Sequence, residues 1–338
     1  MSMILPVIGV PIGDPAGIGP EIAIKAALTD EIRLSAHIKL IGPLEVFNQV
    51  RNHFNFSFDK LDIHYIEGSE NQVLISDVGK TSHHEYGKIQ ANCGLIAYDS
   101  IKEAVRLALD GTIDAIATTP INKEAFRAAK ISSIGHTELL GELTNTSDPV
   151  TMFHTNTLKI FFLTRHISLI KACETINYEK VLSGIIRTYE SLLLLDKYQP
   201  ERAFAVAGLN PHNGEHGLFG NEEEESIVPA IIKAQEMGIP VEGPVPADSV
   251  FYQARTGKYS AVLALYHDQG HIAAKTYDFE KTISLTLGLP FLRTSVDHGT
   301  AFDLAGKGIA QYNSMVQAIR IAAEYAFIYK ENYMKIKS

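Results

Sequence analysis

The segment AVLALYHDQGH, residues 261 to 271, joins an apolar run of strand length to a polar stretch that contains two histidines. Such runs, separated by longer amphipathic stretches, are typical of a mostly parallel sheet covered by helices. The sequence therefore predicts an α/β fold. The other runs of this kind are PVIGVPIG (6–13), HIKLIG (37–42), DAIATTP (114–120), KIFFLTR (159–165) and AFAVAGLN (203–210).

The stretches between the apolar runs predict helices at residues 92–111, 175–195 and 314–333, where apolar residues recur with helical spacing. A further helix is expected to begin near Asn221. There NEEEE supplies a cap and carboxylates that favour the positive end of a helix dipole. The same glutamates could instead form a metal-binding cluster, but we favour the cap.

Length and composition limit the class of protein. A chain of 338 residues exceeds the usual size of a single core, which predicts two domains. The net charge of −9 argues against sequence-independent binding to nucleic acid or anionic lipid. Without an apolar segment long enough for a membrane helix, we expect a cytoplasmic protein that does not bind membranes. Cys93 and Cys173 are expected to be reduced structural thiols.

The two histidines of YHDQGH, residues 266 to 271, lie four positions apart. On a helix this spacing places both imidazoles on one face, as in helical zinc motifs. Gly270 and the preceding strand-like run favour a loop instead. The sequence therefore predicts that His267 and His271 lie on a loop that leaves a buried strand.

Three histidines follow the carboxyl ends of strand-like runs: His166, His212 and His267. Ligands of open α/β sheets bind at this edge, so three imidazoles there predict a metal site with an open position for substrate. Zinc or a similar divalent metal suits neutral imidazole ligands. The alternative is three separate histidines that bond to backbone groups. Asp248 could be a helix cap or an outer partner of the metal histidines.

Glycine-rich segments suggest anion-binding turns. VPIGDPAGIGPEI, residues 10 to 22, matches neither the dinucleotide fingerprint nor the Walker pattern, and its glycines could simply allow a tight strand-to-helix turn. In GHTELL, His136 and Thr137 stand at an expected helix start, a favourable place for an anionic group. Lys275 and Arg293 could pair with a phosphate or carboxylate, or be solvated surface charges.

Several ordered motifs together resemble the 4-hydroxythreonine-4-phosphate dehydrogenase family of pyridoxal phosphate biosynthesis. The resemblance runs from about residue 7 to residue 310. Two motifs are also similar to the isocitrate and isopropylmalate dehydrogenase group, in which the second contacts the adenosine half of NAD: GIGPE and HGTAFDLAGKGIA. The family motifs are GDPAGIGPEI (13–22), TTPINKEA (118–125), GHTELL (135–140), NPHNGE (210–215), YHDQG (266–270) and LGLPFLRTSVDHGTAFDLAGKG (287–308).

This resemblance implies a homodimer of two-domain α/β/α subunits, similar to isocitrate and isopropylmalate dehydrogenases, with the active site in the interdomain cleft. We place one domain at residues 1–130 plus 290–338 and the other at 131–289. The resemblance also implies a divalent metal, usually zinc with magnesium or cobalt as alternatives, and NAD or NADP as cofactor. His271 is expected near the metal without binding it.

Residue roles follow from the motifs. The metal ligands implied are His166, His212 and His267. The substrate contacts implied are His136, Thr137, Lys275 and Arg293, with Ser284 at a position where the family usually has Asn. The cofactor loop implied comprises His298, Gly299, Thr300, Ala301, Asp303 and Gly306. Lys275 and Asp248 are the candidate catalytic groups.

The expected reaction is oxidation of the C3 hydroxyl of 4-phosphohydroxy-L-threonine, followed by decarboxylation to 3-amino-2-oxopropyl phosphate. An alternative is the same chemistry on 4-phospho-D-threonate or 4-phospho-D-erythronate, which gives dihydroxyacetone phosphate. A more remote alternative is a zinc hydrolase with Asp268 as general base. A metal-dependent phosphometabolite-binding protein without activity would use the same residues but no cofactor.

Overall fold

The computed structural model describes residues 4–54, 73–80, 83–133, 135–195 and 202–337. Its strands and helices alternate along the chain, so the predicted α/β fold is confirmed. The strands are β1 (Val7–Pro11), β2 (His37–Ile41), β3 (Val73–Ser76), β4 (Ala115–Thr118), β5 (Val150–Thr155), β6 (Leu158–Phe162), β7 (Phe204–Ala207), β8 (Val241–Val245), β9 (Val262–Ala264), β10 (Ile283–Leu287) and β11 (Leu292–Val296).

The helices connect these strands and follow the predicted apolar periodicity. Among the described residues, none is both long and apolar enough to cross a membrane. They are α1 (Gly19–Ala27), α2 (Asp30–Ser35), α3 (Leu44–Phe54), α4 (Ala91–Leu109), α5 (Lys123–Ala128), α6 (His136–Thr144), α7 (Leu169–Thr175), α8 (Tyr178–Leu195), α9 (Val228–Glu236), α10 (Ala247–Arg255), α11 (His267–Tyr277) and α12 (Asn313–Lys337).

The first compact unit consists of Met1–Pro149 and Gly288–Ser338. Its strands follow the order β3, β2, β1, β4, β11, and each described pair is parallel. Helix α4 packs on β1 and β2, and α12 packs on β4 and β11. The apolar face of α4 closes a core that includes Ile101, Ile116, Phe126 and Leu289.

The second compact unit is Val150–Leu287, with the strand order β10, β5, β6, β9, β7, β8. Strand β5 runs antiparallel to β10 and β6, whereas β6, β9, β7 and β8 are mutually parallel. Central strands contribute the fully buried Ile160, Ala205 and Val262 to its core. Three neighbouring parallel strands, β6, β9 and β7, therefore end at one edge of this unit.

The two compact units differ in their bounds from the two domains expected from the sequence. Residues 131 to 149 and residues 288 and 289 lie in the expected second domain, whereas here they belong to the first compact unit. The expected domain boundaries themselves stay a prediction.

The prediction of a loop at His267 and His271 was wrong. Both residues lie on α11, which begins at His267. Gly270 is inside the helix because its surface is needed for packing: a Cβ there would lie 2.5 Å from Cε1 of Phe162 and 2.8 Å from Cγ2 of Ile160. This glycine therefore marks a close approach between α11 and β6, and not a helix end.

The helix expected near Asn221 is present, but the predicted cap is not. A π-helical turn at Glu223–Ile227 leads into α9, and its start has no side-chain cap. The carboxylate of Glu223 instead turns into the protein and is buried.

Candidate active site

In the second unit, three histidines follow neighbouring parallel strands. His166 comes four residues after β6, His267 three residues after β9, and His212 five residues after β7. Register pairs join β6 to β9 at Ile160 and Val262, and β9 to β7 at Val262 and Ala205. We call His166, His212 and His267 the histidine edge.

Two members of the histidine edge lie close together. The ring centroids of His166 and His267 are 5.9 Å apart. His212 is exposed on a 3-10 turn at Pro211–Gly214, and its ring lies 6.4 Å from that of Phe219. The structure thus brings the first two imidazoles together and places the third after the adjacent strand.

The orientation of His267 is set by its neighbour in sequence. Its Nδ1 lies 2.7 Å from Oδ1 of Asp268. A carboxylate oxygen accepts, so the Nδ1 of His267 donates to it, and the Nε2 is the ring nitrogen that Asp268 does not engage. A carboxylate behind an imidazole is a common arrangement at metal-binding histidines, where it fixes the tautomer and the ring orientation.

His271 supports His267 from one helical turn away. The two rings are stacked, with centroids 3.6 Å apart and an interplanar angle of 12°. The Nδ1 of His271 lies 2.9 Å from the carbonyl oxygen of His267, which can only accept. Phe153 and Phe162 contact the His271 ring at centroid distances of 4.2 and 4.7 Å. His271 is therefore held in an aromatic surround behind His267.

These donors fit a divalent metal by their chemistry. Among residues 4–54, 73–80, 83–133, 135–195 and 202–337, no three His, Cys, Asp or Glu side chains are already arranged to hold one. The fit rests on three imidazoles that follow neighbouring strands at one sheet edge, one of them with its Nδ1 bonded to Asp268 and its Nε2 not engaged by that carboxylate. The residues that would hold the ion are His166, His212 and His267.

Asp248 does not cap α10. Helix α10 begins after Pro246, whose carbonyl accepts from the N–H groups of Ser249 and Val250. Asp248 is exposed in the first turn, so the predicted cap is wrong because the carboxylate lies two residues past the cap position, which Pro246 occupies. A negative charge at that place still interacts favourably with the helix dipole.

The other candidates of the second unit lie on α11 and β10. Lys275 is half-buried, eight residues after His267, and its Nζ lies 5.5 Å from the centre of the Phe279 ring. Ser284 is half-buried on β10, opposite Phe153 of β5. Both belong to the same unit as the histidine edge.

In the first unit, Arg293 is a buried cation on β11. Its Nε and Nη2 donate to Oγ1 of Thr118 at 3.0 and 2.7 Å, and that hydroxyl donates to the carbonyl of Thr294. Burial lowers the pKa of Arg293 to about 9, and the carboxylate of Glu138 opposes this shift. The guanidinium is therefore still mostly charged at neutral pH.

His136 begins α6 close to this cation. Burial, and then the charge of Arg293, hold the pKa of His136 well below its usual range, so the imidazole is neutral. Its Nε2 is buried and has no hydrogen-bond partner among the described residues. With Thr137 next in the helix, this helix N-terminus beside a buried guanidinium favours an anionic ligand.

The two glycine-rich motifs of the first unit contact each other. The N–H of Ile18 donates to the carbonyl of Thr300 at 3.0 Å. A Cβ on Gly17 would lie 2.8 Å from both Cβ and the carbonyl oxygen of Thr300, so only glycine allows this approach. The turn expected from GDPAGIGPE therefore also supports the loop expected to bind the cofactor.

An ion pair fixes the far end of that loop. The Nζ of Lys25 lies 2.6 Å from Oε1 of Glu21 and donates to the carbonyls of Gly308 and Ala310. Glu21 also accepts from the N–H of Ala310 at 3.0 Å. The loop contains all of the predicted cofactor residues, of which Ala301 and Gly306 have left-handed φ values: His298, Gly299, Thr300, Ala301, Asp303 and Gly306.

A family model described as "Pyridoxal phosphate biosynthetic protein PdxA" matches residues 30–322, most of the chain. The chain belongs to the PdxA family. The resemblance seen in the motifs is therefore confirmed.

Relatives within the family carry two different dehydrogenase names. A Fusobacterium nucleatum protein named "Putative D-threonate 4-phosphate dehydrogenase" is 51% identical over 98% of this chain and 99% of its own length. A protein of the same name from Clostridium botulinum strain Hall is 50% identical, covering 96% of this chain and 98% of its own. The solved 4-hydroxythreonine-4-phosphate dehydrogenase of Klebsiella pneumoniae is 39% identical, with a TM-score of 0.84 over 96% of this chain and 99% of its own.

Sequence reasoning missed two residues of the PdxA fold that hold candidate side chains. Thr118 bonds the guanidinium of Arg293, and Glu223 bonds Leu209 and Asn210, which lead into the turn that contains His212. Thr118 could have been noticed as a polar residue at the carboxyl end of an apolar strand. For Glu223 no sequence signal distinguishes it from the glutamates beside it, because only its burial does so.

Proposed function

We propose that this PdxA family member is an NAD(P)-dependent dehydrogenase that oxidises the C3 hydroxyl of D-threonate 4-phosphate. The choice of substrate rests on how similar in sequence the chain is to relatives with different names. Proteins named for D-threonate 4-phosphate are 50–51% identical to the chain, whereas solved structures named for 4-hydroxythreonine-4-phosphate are 38–39% identical.

The reaction has an oxidation step and a decarboxylation step. A nicotinamide cofactor, when bound, would accept the C3 hydrogen as hydride, and the hydroxyl proton would go to a base of the protein. The product is a 3-keto acid, whose C1 carboxylate leaves as carbon dioxide because the ketone accepts the electron pair of the breaking bond. Protonation at C2 then gives dihydroxyacetone phosphate.

The histidine edge would hold a divalent ion through His166, His212 and His267, and zinc suits these donors best, with magnesium or cobalt as alternatives. When bound, such an ion lowers the pKa of the substrate hydroxyl and polarises the forming ketone. Asp268 and His271 keep the imidazole of His267 in one tautomer and one orientation.

The substrate carries a phosphate and a carboxylate, and such anionic groups bind to cationic side chains and to N–H donors. Arg293 supplies a buried forked cation, and His136 with Thr137 supplies the start of α6. We assign these three residues and Ser284 to substrate binding. Lys275 holds the phosphate or transfers a proton, and Asp248 is the second candidate for proton transfer.

The cofactor would be bound by the loop at residues 298–306, which Ile18 holds at Thr300 and which Glu21 and Lys25 hold just past its end. A loop fixed at both ends loses little conformational freedom on binding, which favours affinity. Either NAD or NADP suits this assignment.

The proposal is tested by measuring products. Zinc-loaded protein with D-threonate 4-phosphate and NAD or NADP should form reduced cofactor and dihydroxyacetone phosphate in equal amounts. Formation of neither product with either cofactor would contradict the proposed function. Arg293→Lys should lower kcat/KM by about 100-fold, since a lysine cannot reproduce the forked contact.

A second candidate is 4-hydroxythreonine 4-phosphate, oxidised and decarboxylated to 3-amino-2-oxopropyl phosphate. It is favoured by the names of the solved structures from Klebsiella pneumoniae and Burkholderia phymatum, at TM-scores of 0.84 and 0.82. The same residues would serve, and the difference lies at the C2 substituent. The names of these relatives do not favour a zinc hydrolase or a binding protein without activity.

A further inference from the structure

The turn that carries His212 has an unfavourable backbone. His212 and Asn213 have φ values of +52° and +57°, and Glu215 follows at +42°. Non-glycine residues in the left-handed region cost about 1 kcal/mol or more each, so such a turn persists only when its surroundings hold it. The position of His212 therefore depends on contacts made by other residues.

The main contact comes from Glu223, which is only 1% exposed. Its Oε1 accepts from the N–H groups of Leu209 and Asn210 at 2.8 and 2.7 Å. Its Oε2 accepts from Nδ2 of Asn210 at 2.9 Å. One buried carboxylate thus binds three donors in the two residues that lead into the turn.

The backbone of the turn also lies close to Glu223 at Gly214. A Cβ on Gly214 would lie 3.0 Å from Oε2 of Glu223 and 2.8 Å from the carbonyl oxygen of Gly220. On the other side, Nδ2 of Asn213 donates to the carbonyl of Pro244 at 2.9 Å. The turn is held on both sides, while the His212 ring itself stays exposed.

We propose that Glu223 is a positioning residue that sets the place of the His212 imidazole for metal binding. This inference rests on the proposed role of the histidine edge. Glu223 is not itself a ligand in this proposal, because its carboxylate oxygens are engaged by N–H donors. Its effect on the metal passes through Leu209, Asn210 and the turn.

The test compares metal affinity in four proteins: wild type, Glu223→Gln, Glu224→Gln and His212→Ala. The glutamine keeps the size of Glu223 but replaces one acceptor oxygen with an NH₂ group facing the donors of Asn210 or the backbone. Glu224 is the matched control, since it is the next residue and exposed. Zinc affinity is measured by competition with a chromogenic chelator, and the ligand field by the visible spectrum of bound cobalt.

We expect Glu223→Gln to weaken zinc binding by 10-fold or more and to change the cobalt spectrum, as loss of a residue behind a ligand does. Glu224→Gln should bind as wild type does, and His212→Ala should lose more affinity than Glu223→Gln. Wild-type affinity in Glu223→Gln, with weakened binding in His212→Ala, would overturn the role of Glu223 alone. Wild-type affinity in His212→Ala would overturn the proposed metal role of that histidine.

A second variant covers the case in which Glu223→Gln does not fold. Asn210→Ala removes one donor to Glu223 and keeps the two backbone bonds to Oε1. It should weaken zinc binding by a smaller factor without changing the melting temperature of the zinc-free protein much. Unchanged zinc affinity and an unchanged cobalt spectrum in Asn210→Ala would contradict the inference.

Discussion

At the scale of single residues, several polar groups of this protein are buried in places that set their protonation. Arg293 and His136 show this in the first unit, where one cation and one neutral imidazole meet at a helix start. Asp14 shows it in the glycine-rich turn: burial raises its pKa to about 6, although its Oδ1 accepts from the N–H of Ala16. Its Oδ2 is buried without a partner among the described residues.

The raised pKa of Asp14 predicts a pH-dependent effect on stability. Between pH 3.8 and about 6 the folded protein keeps a proton that the unfolded chain has released, so stability falls as pH rises through this window. Asp14→Asn removes the buried charge and should stabilise the protein by about 1–3 kcal/mol at pH 8. The gain should shrink towards pH 4, as measured by urea unfolding at both pH values.

The exposed Asp30 provides a control for this prediction. Asp30→Asn should change the free energy of unfolding by only a few tenths of a kcal/mol at either pH. If Asp14→Asn destabilised the protein equally at pH 4 and pH 8, the carboxylate would not carry the pH dependence.

His271 predicts a second residue effect, on metal affinity. His271→Leu removes both the stacked ring and the bond to the carbonyl of His267, and should weaken zinc binding by about 10-fold. His271→Phe keeps a ring and should lose less. Chelator competition measures both, with the exposed neighbour Ile272→Ala as control. Equal zinc affinity in wild type and His271→Leu would show that the stack does not support His267.

At the scale of elements, α11 connects the histidine edge to the core of the second unit. It places His267 at its first residue, His271 one turn on, and Lys275 a further turn on. Its packing depends on Gly270, whose missing side chain lets the helix lie against β6. A helix interior glycine thus contributes to the site through packing, despite its low helix propensity.

Gly270→Ala tests this packing. In an exposed helix the change would stabilise by about 1 kcal/mol, but here the new Cβ would meet the Phe162 ring and Ile160. We expect the free energy of unfolding to fall by about 1–3 kcal/mol, measured by denaturant unfolding. A stabilised variant would mean that α11 does not need this close approach to β6.

Much of the element pattern could be predicted from apolar runs, and the reasons for the failures are physical. All six quoted runs form strands, because continuous apolar stretches of strand length suit a covered parallel sheet. Strands such as β5 and β10 were missed because they carry polar residues such as Thr151 and Ser284. The loop predicted at His267 failed because a glycine can serve packing as well as chain reversal, and periodicity does not separate the two.

The candidate site was predictable to the extent that it depends on strand ends. His166, His212 and His267 were selected by position, and β6, β9 and β7 are indeed neighbours. The roles of the buried supporting groups could not be found this way, since Thr118 bonds a residue 175 positions away and only burial in the folded protein distinguishes Glu223 from the glutamates beside it.

At the scale of the whole molecule, this PdxA family member consists of two compact units, and each unit contains one group of candidate residues. The first unit carries Arg293, His136 and the cofactor loop, and the second carries the histidine edge and Lys275. The proposed reaction needs both groups of residues. Relatives named as dehydrogenases match nearly the whole chain, and so both units.

The assembly implied by the motif resemblance gives a prediction at this scale. A homodimer should have twice the chain mass of 37.1 kDa when measured by light scattering after size-exclusion chromatography. Dilution over two orders of magnitude should not change that mass, because obligate dimers bury extensive apolar surface. A mass equal to one chain at all concentrations would contradict the proposed dimer.

The central claim, the identity of the substrate, is tested most directly by kcat/KM of the zinc-loaded protein for D-threonate 4-phosphate and for 4-hydroxy-L-threonine 4-phosphate, under the same conditions. The two compounds have the same configuration at C2 and C3 and differ only in the C2 substituent, a hydroxyl in one and an amine in the other, so the ratio of their kcat/KM values isolates the groups that recognise C2. We predict a ratio of at least about 100 in favour of D-threonate 4-phosphate, because a site that bonds a polar group discriminates strongly against one it cannot pair. An equal or higher kcat/KM for 4-hydroxy-L-threonine 4-phosphate would contradict this account.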